Sequence, residues 1–422
     1  MWPQETRCFL GGDENSTLFK HELADAPACK YLIGLVMLAE GFIPFSPPSV
    51  DEWEMQAAAA AIGSGWLTTG PRVVEFEQRF AAFVGAPAAL AVGSGTDAMQ
   101  VALAALGIGP GDEVITSTMT FCSTAHVIEH VGATPVLVDV EPGTLNLDPA
   151  AVAAAVTPRT KALLPVHLYG HPCDLEAITE IAREHGLHLL QDAAHALPAS
   201  CAGRMVGGDE TPAAFSFYAT KNLTTGEGGM LTGTPDFIEA ARPWVLHGMS
   251  RDAHARYTEH GSWFYDVILP GFKCNMTDVQ AAMGLEQLKK LPTMQERRRQ
   301  VWAAYDAVFA AREEFETPCV LPEVEPSRHL YVIRLRLEAL SIDRDRFIEE
   351  LRLRGVGSSV HFIPVHMHSY YRHKYGYRPD SFPVAHANFL RIVSLPLHPG
   401  LSDGDVERVI EAVIDIVDAF RR

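Results

Sequence analysis

Lys221 closes an apolar, aromatic run, Phe215-Ser216-Phe217-Tyr218-Ala219-Thr220-Lys221-Asn222, and a glycine-rich turn, Gly226-Glu227-Gly228-Gly229, follows it. Apolar surroundings disfavour the ammonium form, so a lysine placed there can serve as a nucleophilic amine that forms a Schiff base. A solvated lysine at a strand end is the plainer reading of the same stretch. Asp192 ends another apolar run, in Gln191-Asp192-Ala193-Ala194-His195. A buried carboxylate is costly unless a positive charge pairs with it. A pyridinium nitrogen is such a partner, and an aspartate beside it keeps pyridoxal phosphate an electron sink. Taken alone, Asp-Ala-Ala reads first as a helix N-cap.

Ser94-Gly95-Thr96 follows the apolar run Ala89-Leu90-Ala91-Val92 and opens a helix. Strand, small-residue turn and helix start together aim backbone N–H groups at a point where a phosphate would bind. Many strand–helix junctions look like this, so the turn alone decides nothing. Ser216, on the strand entering Lys221, could bring a hydroxyl to the same phosphate. Phe121, in Thr120-Phe121-Cys122, offers a flat surface on which a pyridine ring could stack, or is plain core.

These groups need elements to position them. Helices are expected over Val50–Ile62, Pro71–Val84, Asp97–Leu106, Pro149–Ala155, Leu175–Glu184 and Pro235–Val245, from apolar spacing and capping residues. Short apolar strands alternate with them at Ala89–Val92, Glu113–Ile115, Pro135–Val140, Ala162–Val166, Leu187–Gln191 and Met230–Thr232. Such alternation implies right-handed crossovers and a mainly parallel sheet. Two further helices, Met276–Leu291 and Thr293–Ala311, are expected around Pro292, the second bridging to a smaller domain. That domain has strands at Leu330–Leu337 and Val360–Phe362 and helices at Asp343–Arg354 and Ser402–Arg421. The expected organisation is an N-terminal extension over 1–42, partly disordered, a large domain over 43–292 and a small one over 293–422. The stretch Tyr257–Tyr265 reads as an excursion from the sheet.

A chain of 422 residues with 47% apolar and 20% charged residues is long enough for two soluble domains. Its net charge of −18 argues against nucleic acid and anionic membrane surfaces as partners. Seven scattered cysteines without a Cys-x-x-Cys pair point to free thiols in a reducing, cytoplasmic setting and away from zinc or iron–sulfur centres. His126-Val127-Ile128-Glu129-His130 has the spacing of a zinc-peptidase helix but no third ligand in view, so no metal is expected.

Several motifs in one order resemble the DegT/DnrJ/StrS sugar aminotransferases, within the aspartate-aminotransferase-like fold. They are Gly65-Trp66-Leu67-Thr68-Thr69-Gly70-Pro71, Gly93-Ser94-Gly95-Thr96, Gly111-Asp112-Glu113-Val114-Ile115 and Pro165-Val166-His167-Leu168-Tyr169-Gly170. Gln191 to Ala196, Ser216 to Gly229 and Leu246-His247-Gly248 complete the set, and the likeness runs from about Ile43 to the C-terminus. The resemblance implies an α/β, fold-type I enzyme dependent on pyridoxal 5'-phosphate, with a large, mainly parallel domain and a smaller C-terminal α/β domain. It makes Lys221 the Schiff-base lysine and Asp192 the partner of the ring nitrogen. Phe121 and Ala194 would cover the ring, His195 would lie near its phenolic oxygen, and Ser94, Gly95, Thr96 and Ser216 would hold the phosphate.

The same resemblance implies a homodimer with shared sites, since Gly271 to Asp278 matches the segment that reaches into the neighbouring subunit. Asn275 would then touch the partner's cofactor phosphate. Lys273 and Asn275 stand where many members carry Asn and Arg. This Lys-x-Asn form, with Arg328-His329-Leu330, His361-Phe362-Ile363-Pro364-Val365-His366 and Tyr370-Tyr371, looks like the branch that makes UDP-4-amino-4-deoxy-L-arabinose. On that reading Lys273, His329, His361 and His366 contact substrate. The reaction implied is ping-pong transfer of an amino group from an amino acid, L-glutamate being the expected donor, to a nucleotide-linked keto sugar, a UDP-4-keto sugar. Relatives that dehydrate sugars carry histidine where this chain has Lys221. Cyclitol aminotransferases share the cofactor residues, and a non-catalytic regulator would bind cofactor without turnover.

Overall fold

The computed structural model describes residues 41–250 and 264–422. Expectations placed on residues 1–40 and 257–263 lie outside the described residues. Of the unit Met1–Phe42 only Gly41 and Phe42 are described, and Ile43–Arg422 form one compact unit.

The strands, in chain order, are β1 (Ala88–Val92), β2 (Glu113–Ser117), β3 (Thr134–Val138), β4 (Thr160–Leu164), β5 (His188–Leu189), β6 (Gln191–Asp192), β7 (Ser200–Cys201), β8 (Arg204–Met205), β9 (Ala213–Ser216), β10 (Gly229–Gly233), β11 (Phe315–Glu316), β12 (Val324–Glu325), β13 (Tyr331–Leu335) and β14 (Ile392–Leu395). β3, β2, β4 and β5 pair in parallel. β5 and β6 are two parts of one extended segment, and Leu190 between them donates its N–H to Leu163 O at 3.0 Å. β6 then pairs in parallel with β9, and β10 joins β9 to β1. The resulting order is β3-β2-β4-β5/β6-β9-β10-β1, with β10 running against the rest. Helices cover a parallel sheet on both faces, and its strands are accordingly apolar almost throughout.

β10 is antiparallel for a connective reason. A parallel neighbour would need a crossover helix, whereas an antiparallel one can follow a loop directly. Residues 217–228 form that loop. Phe217 N donates to Gly228 O at 2.8 Å and Thr225 N to Phe217 O at 3.0 Å, which closes it, and Lys221 sits inside.

The helices are α1 (Glu52–Gly63), α2 (Pro71–Val84), α3 (Gly95–Ala105), α4 (Cys122–His130), α5 (Pro149–Ala155), α6 (Leu175–His185), α7 (Pro235–Val245), α8 (Asp278–Phe309), α9 (Arg344–Leu353), α10 (Ser369–Tyr375), α11 (Pro383–Phe389) and α12 (Asp403–Phe420). The two helices expected around Pro292 are a single one, α8, which starts at a capping box of Thr277 and Gln280 and contains Pro292. An internal proline costs about 3 kcal/mol. The helix buries Leu285, Leu288 and Leu291 in one apolar cluster and Val301, Trp302, Tyr305 and Phe309 in another. At roughly 1.5–3 kcal/mol for each large apolar side chain, that burial outweighs the break. The strand expected over Val360–Phe362 is absent. Only an isolated bridge from Ser359 to Ser394 forms, beside the sheet β11-β13-β14, and Pro364, with no N–H to give, follows two residues on. Among the described residues no helix is long and apolar enough to cross a membrane.

An aromatic cluster fixes the strand that leads to Lys221. Phe76 and Phe80 of α2 meet Phe215 and Phe217, with ring centroids 5.1 Å apart for Phe80–Phe215 and 5.5 Å for Phe80–Phe217. All four are fully buried. Side chains alternate along a strand, so anchoring Phe215 and Phe217 on one face turns Ser216 to the other. Phe217→Ala should therefore lower stability by about 3–5 kcal/mol. Chemical denaturation will measure it; a loss below ~1 kcal/mol would show that the cluster does not anchor this strand.

Candidate active site

A cavity of about 390 Å³ opens where β1, β6 and β9 end, the edge at which open α/β sheets bind ligands. It brings together Ser94, Gly95, Thr96, Phe121, Asp192, Ala194, His195, Ser216, Lys221, His329 and His361.

Ser94 caps α3. Its Oγ accepts from Asp97 N at 3.0 Å and donates to the Asp97 carboxylate at 2.8 Å. Burial raises the Asp97 pKa, and the Ser94 bond lowers it. The turn has no room for larger residues. A Cβ on Gly95 would lie 2.8 Å from Ser216 Cβ, and one on Gly229 would lie 2.4 Å from the carbonyl group of Ser94. The free N–H groups at the start of α3 and the Ser216 hydroxyl thus share one corner, suited to an anion.

Asp192 is buried, and both its oxygens are occupied. Oδ1 accepts from Ala194 N at 3.1 Å and Oδ2 from Thr124 Oγ1 at 2.8 Å. The Thr124 hydroxyl has one proton, so its contact with Thr120 Oγ1 at 2.9 Å must be donated by Thr120. Burial raises the carboxyl pKa, while these bonds and the Lys221 charge pull it back. Neither threonine was singled out in the sequence. Their separation of four residues, bracketing Phe121 at the start of α4, was the available signal.

Lys221 is partly buried, and burial lowers its pKa to about 8 against the pull of Asp192. His195 packs against His329 with the rings tilted by 40° and their centroids 4.4 Å apart, and stacks on Phe362 at 5.6 Å. Burial holds His195 and His329 well below the usual histidine range. Nδ1 of His195 is buried without a hydrogen-bond partner among the described residues. A buried orphan of this kind belongs to a site that receives a polar group. His361 stacks on Phe45 at 5.3 Å, its Nδ1 lies 2.8 Å from Ser394 Oγ, and burial takes its pKa down to about 4. Phe121 keeps 56% of its surface exposed at the cavity, so it is a free aromatic face and not core.

Three expected residues stand elsewhere. His366 is fully buried, with Nδ1 2.7 Å from Thr118 Oγ1, Nε2 3.3 Å from Pro379 O and its ring against Phe382. Both nitrogens are engaged and the residue does not line the cavity, which corrects its expected substrate contact to a packing role. Lys273 and Asn275 lie on a turn joined to the end of β1, where Gly93 N donates to Cys274 O at 2.6 Å. Lys273 donates to Asn275 Oδ1, and Asn275 Nδ2 donates to Thr69 Oγ1 at 2.8 Å. Asn275 lines a second cavity, of about 430 Å³, between α2 and α7, not the one holding Lys221. His126 and His130 have ring centroids 6.2 Å apart, and no group of three or more His, Cys, Asp or Glu among the described residues could hold a metal ion.

Comparison with known proteins places this geometry. The family model described as the DegT/DnrJ/EryC1/StrS aminotransferase family matches residues 48–414. The chain is 49% identical over 385 residues to the spore coat polysaccharide biosynthesis protein SpsC of Bacillus subtilis, covering 91% of this chain and 99% of that protein. Among solved structures it resembles a putative sugar aminotransferase from Streptococcus pneumoniae in its PLP form, with a TM-score of 0.83, 34% identity, and 90% and 99% of the two chains covered. It also resembles PseC of Helicobacter pylori, an aminotransferase involved in the biosynthesis of pseudoaminic acid, with a TM-score of 0.83, 26% identity and 90% and 100% coverage.

The lowered Lys221 pKa is directly testable. In the apoprotein, labelling of Lys221 by an aromatic aldehyde with borohydride trapping should rise with pH through a midpoint near about 8. A midpoint near 10.5, the ordinary lysine value, would mean a solvated amine. The unfolded chain keeps this proton to higher pH than the folded one. The group therefore adds stability as pH climbs from about 8 towards 10.5.

Proposed function

The chain belongs to the DegT/DnrJ/EryC1/StrS aminotransferase family, and we propose that within it the enzyme transfers an amino group from L-glutamate to a UDP-linked 4-keto sugar. It is a sugar aminotransferase of fold type I, and its cofactor is pyridoxal 5'-phosphate. The observation that carries the reading is one cavity holding a lysine of depressed pKa, a buried carboxylate and the anion-binding start of α3.

The residues fit this cofactor. When bound, it supplies a carbonyl that captures amines and a cationic ring that takes up the electron pair released at an adjacent carbon. Asp192, whose carboxylate the Thr124 hydroxyl and the Ala194 N–H stabilise, would hold the proton on the ring nitrogen. Ser94, Gly95, Thr96 and Ser216 would bind the phosphate, and Phe121 and Ala194 would cover the ring. His195, whose Nδ1 is buried without a partner among the described residues, would meet the phenolic oxygen. Lys221 would hold the cofactor through its Nζ, a place that the donor's amine would take over. Its freed Nζ, neutral above about pH 8, then takes the proton from the donor's α-carbon.

The sugar reading is supported by His329 and His361 on the cavity wall and by the Lys-x-Asn turn. Lys273 is exposed and lies outside its own chain's cavity, which leaves this turn available to a second copy. The working unit is then a cytoplasmic homodimer with shared sites, each chain comprising a cofactor-binding domain over 43–292 and a small domain over 293–422. The Lys-x-Asn turn and the Arg328-His329-Leu330 and His361 to His366 segments resemble the branch that makes UDP-4-amino-4-deoxy-L-arabinose.

Incubating the purified enzyme with glutamate and a panel of nucleotide keto sugars and keto-cyclitols should give turnover with UDP-4-keto sugars. Turnover with cyclitols alone would replace this reading by the other, and cofactor binding with no turnover would favour a regulator. Lys221→Ala should abolish turnover, and Asp192→Asn should lower it by several orders of magnitude with cofactor still bound. Mixing Lys221→Ala with Asn275→Ala protein tests sharing. Mixed dimers would hold one site with both lesions and one with neither, so activity should return. If Asn275→Ala alone is inactive, exchange occurs and no activity returns, the sites are not shared.

A further inference from the structure

Asn222 follows Lys221 in the chain and is buried at 6% exposure. Its Nδ2 lies 3.0 Å from Leu197 O and 2.9 Å from Ser327 O. Carbonyl oxygens only accept, so the amide must face both with its nitrogen; the reverse orientation would set oxygen against two oxygens. Oδ1 is left for its remaining contact, His329 Nδ1 at 3.0 Å. An amide oxygen cannot donate, so the proton of that bond sits on the ring. His329 is therefore either the neutral form with Nδ1–H or the imidazolium.

Its surroundings choose between the two. The charged and titratable groups facing it are His195, Lys221, Arg298 and His361, each of which disfavours added positive charge, as does burial. Arg298 is buried itself and donates from Nη1 to the carbonyls of Leu397 at 2.7 Å and His329 at 3.3 Å. Two carboxylates line the same cavity: Asp192 has its oxygens engaged by Thr124 and Ala194, and Glu227 makes no bond to His329. No carboxylate bonds to His329 among the described residues. The imidazole is neutral, and its Nε2 keeps a lone pair. His361 has no such constraint, because its Nδ1 meets a Ser394 hydroxyl that can donate or accept.

We infer that Asn222 is a positioning residue that locks His329 as the neutral Nδ1–H tautomer, so that Nε2 offers the cavity an acceptor for a substrate hydroxyl. A lone pair there attracts O–H donors and repels phosphate and carboxylate oxygens, whereas an imidazolium would do the reverse. The assignment of the hydroxyl rests on the sugar reading given above; the tautomer does not.

The test uses the cofactor-loaded full chain labelled with 15N-histidine, the His329 signals being identified by their loss in His329→Gln. Two-bond 1H–15N spectra should show a protonated Nδ1 and a bare Nε2 from about pH 6 to about pH 9. An Nε2–H tautomer or an imidazolium in the wild type overturns the inference without any substrate present. Asn222→Leu removes the acceptor that faces Nδ1 and should let the Nε2–H tautomer appear; an Nδ1–H signal left unchanged in that variant would remove Asn222 from its role. His329→Leu should raise KM for the keto sugar roughly three- to tenfold with a smaller change in kcat, and His329→Gln, which keeps an acceptor oxygen, should recover most of the loss. Equal KM values for wild type, His329→Leu and His329→Gln would overturn the hydroxyl contact. An enzyme that accepts no keto sugar but shows the Nδ1–H tautomer would overturn the sugar reading and leave the positioning role standing.

Discussion

The site depends on a steric constraint at Gly229. A Cβ there would lie 2.4 Å from the Ser94 carbonyl, and one on Gly95 would lie 2.8 Å from Ser216 Cβ. Three backbone segments, the end of β1, the end of β9 and the start of β10, therefore meet without a side chain between them. That contact sets the start of α3, the Ser216 hydroxyl and the Lys221 loop around one corner. Widening any one gap would move the anion-binding N–H groups away from the amine, and catalytic geometry tolerates little misplacement. The aromatic cluster behind β9 holds the arrangement from the other side.

Charge is handled by the same economy. Burial pushes Lys221 towards neutrality and Asp192 towards protonation, while each favours the other's ionised form. Two hydroxyls in series, Thr120 to Thr124 to Asp192, add to the stabilisation of the carboxylate without bringing in another charge. A cation in their place would also hold Asp192 ionised, but it would compete with the cofactor's ring nitrogen for the aspartate. The histidines around Lys221 are neutral, so what they add to the cavity wall is lone pairs and aromatic faces, not charge.

Much of this was legible in the chain. Lys221 after an aromatic run, Asp192 at a strand end and the Ser94 turn are local patterns, and local patterns survive into the fold. The order of strands and helices was equally readable from alternation. Relations across the chain were not. Thr124 gains its meaning from Asp192, 68 positions away, and Asn222 from His329, 107 positions away. His366 looked like its pocket-lining neighbour His361, yet one faces the cavity and the other is enclosed by Thr118, Pro379 and Phe382. Pro292 read as a boundary because proline penalises helices locally, and the packing that overrides it comes from distant residues.

The uninterrupted helix α8 has a further consequence. Its first half belongs to the apolar cluster behind the Lys221 strand, and its second half to the cluster around β13, β14 and α12. Neither core can lose its packing without fraying a helix that the other core needs. The C-terminal third is thus no detachable module: a fragment cut at residue 292 would expose Leu285, Leu288 and Leu291 at a frayed end and strip Val301 and Tyr305 from their neighbours. Melting should proceed as one cooperative transition across the cofactor corner and the C-terminal sheet, and swapping that sheet between relatives would have to carry the whole helix with it.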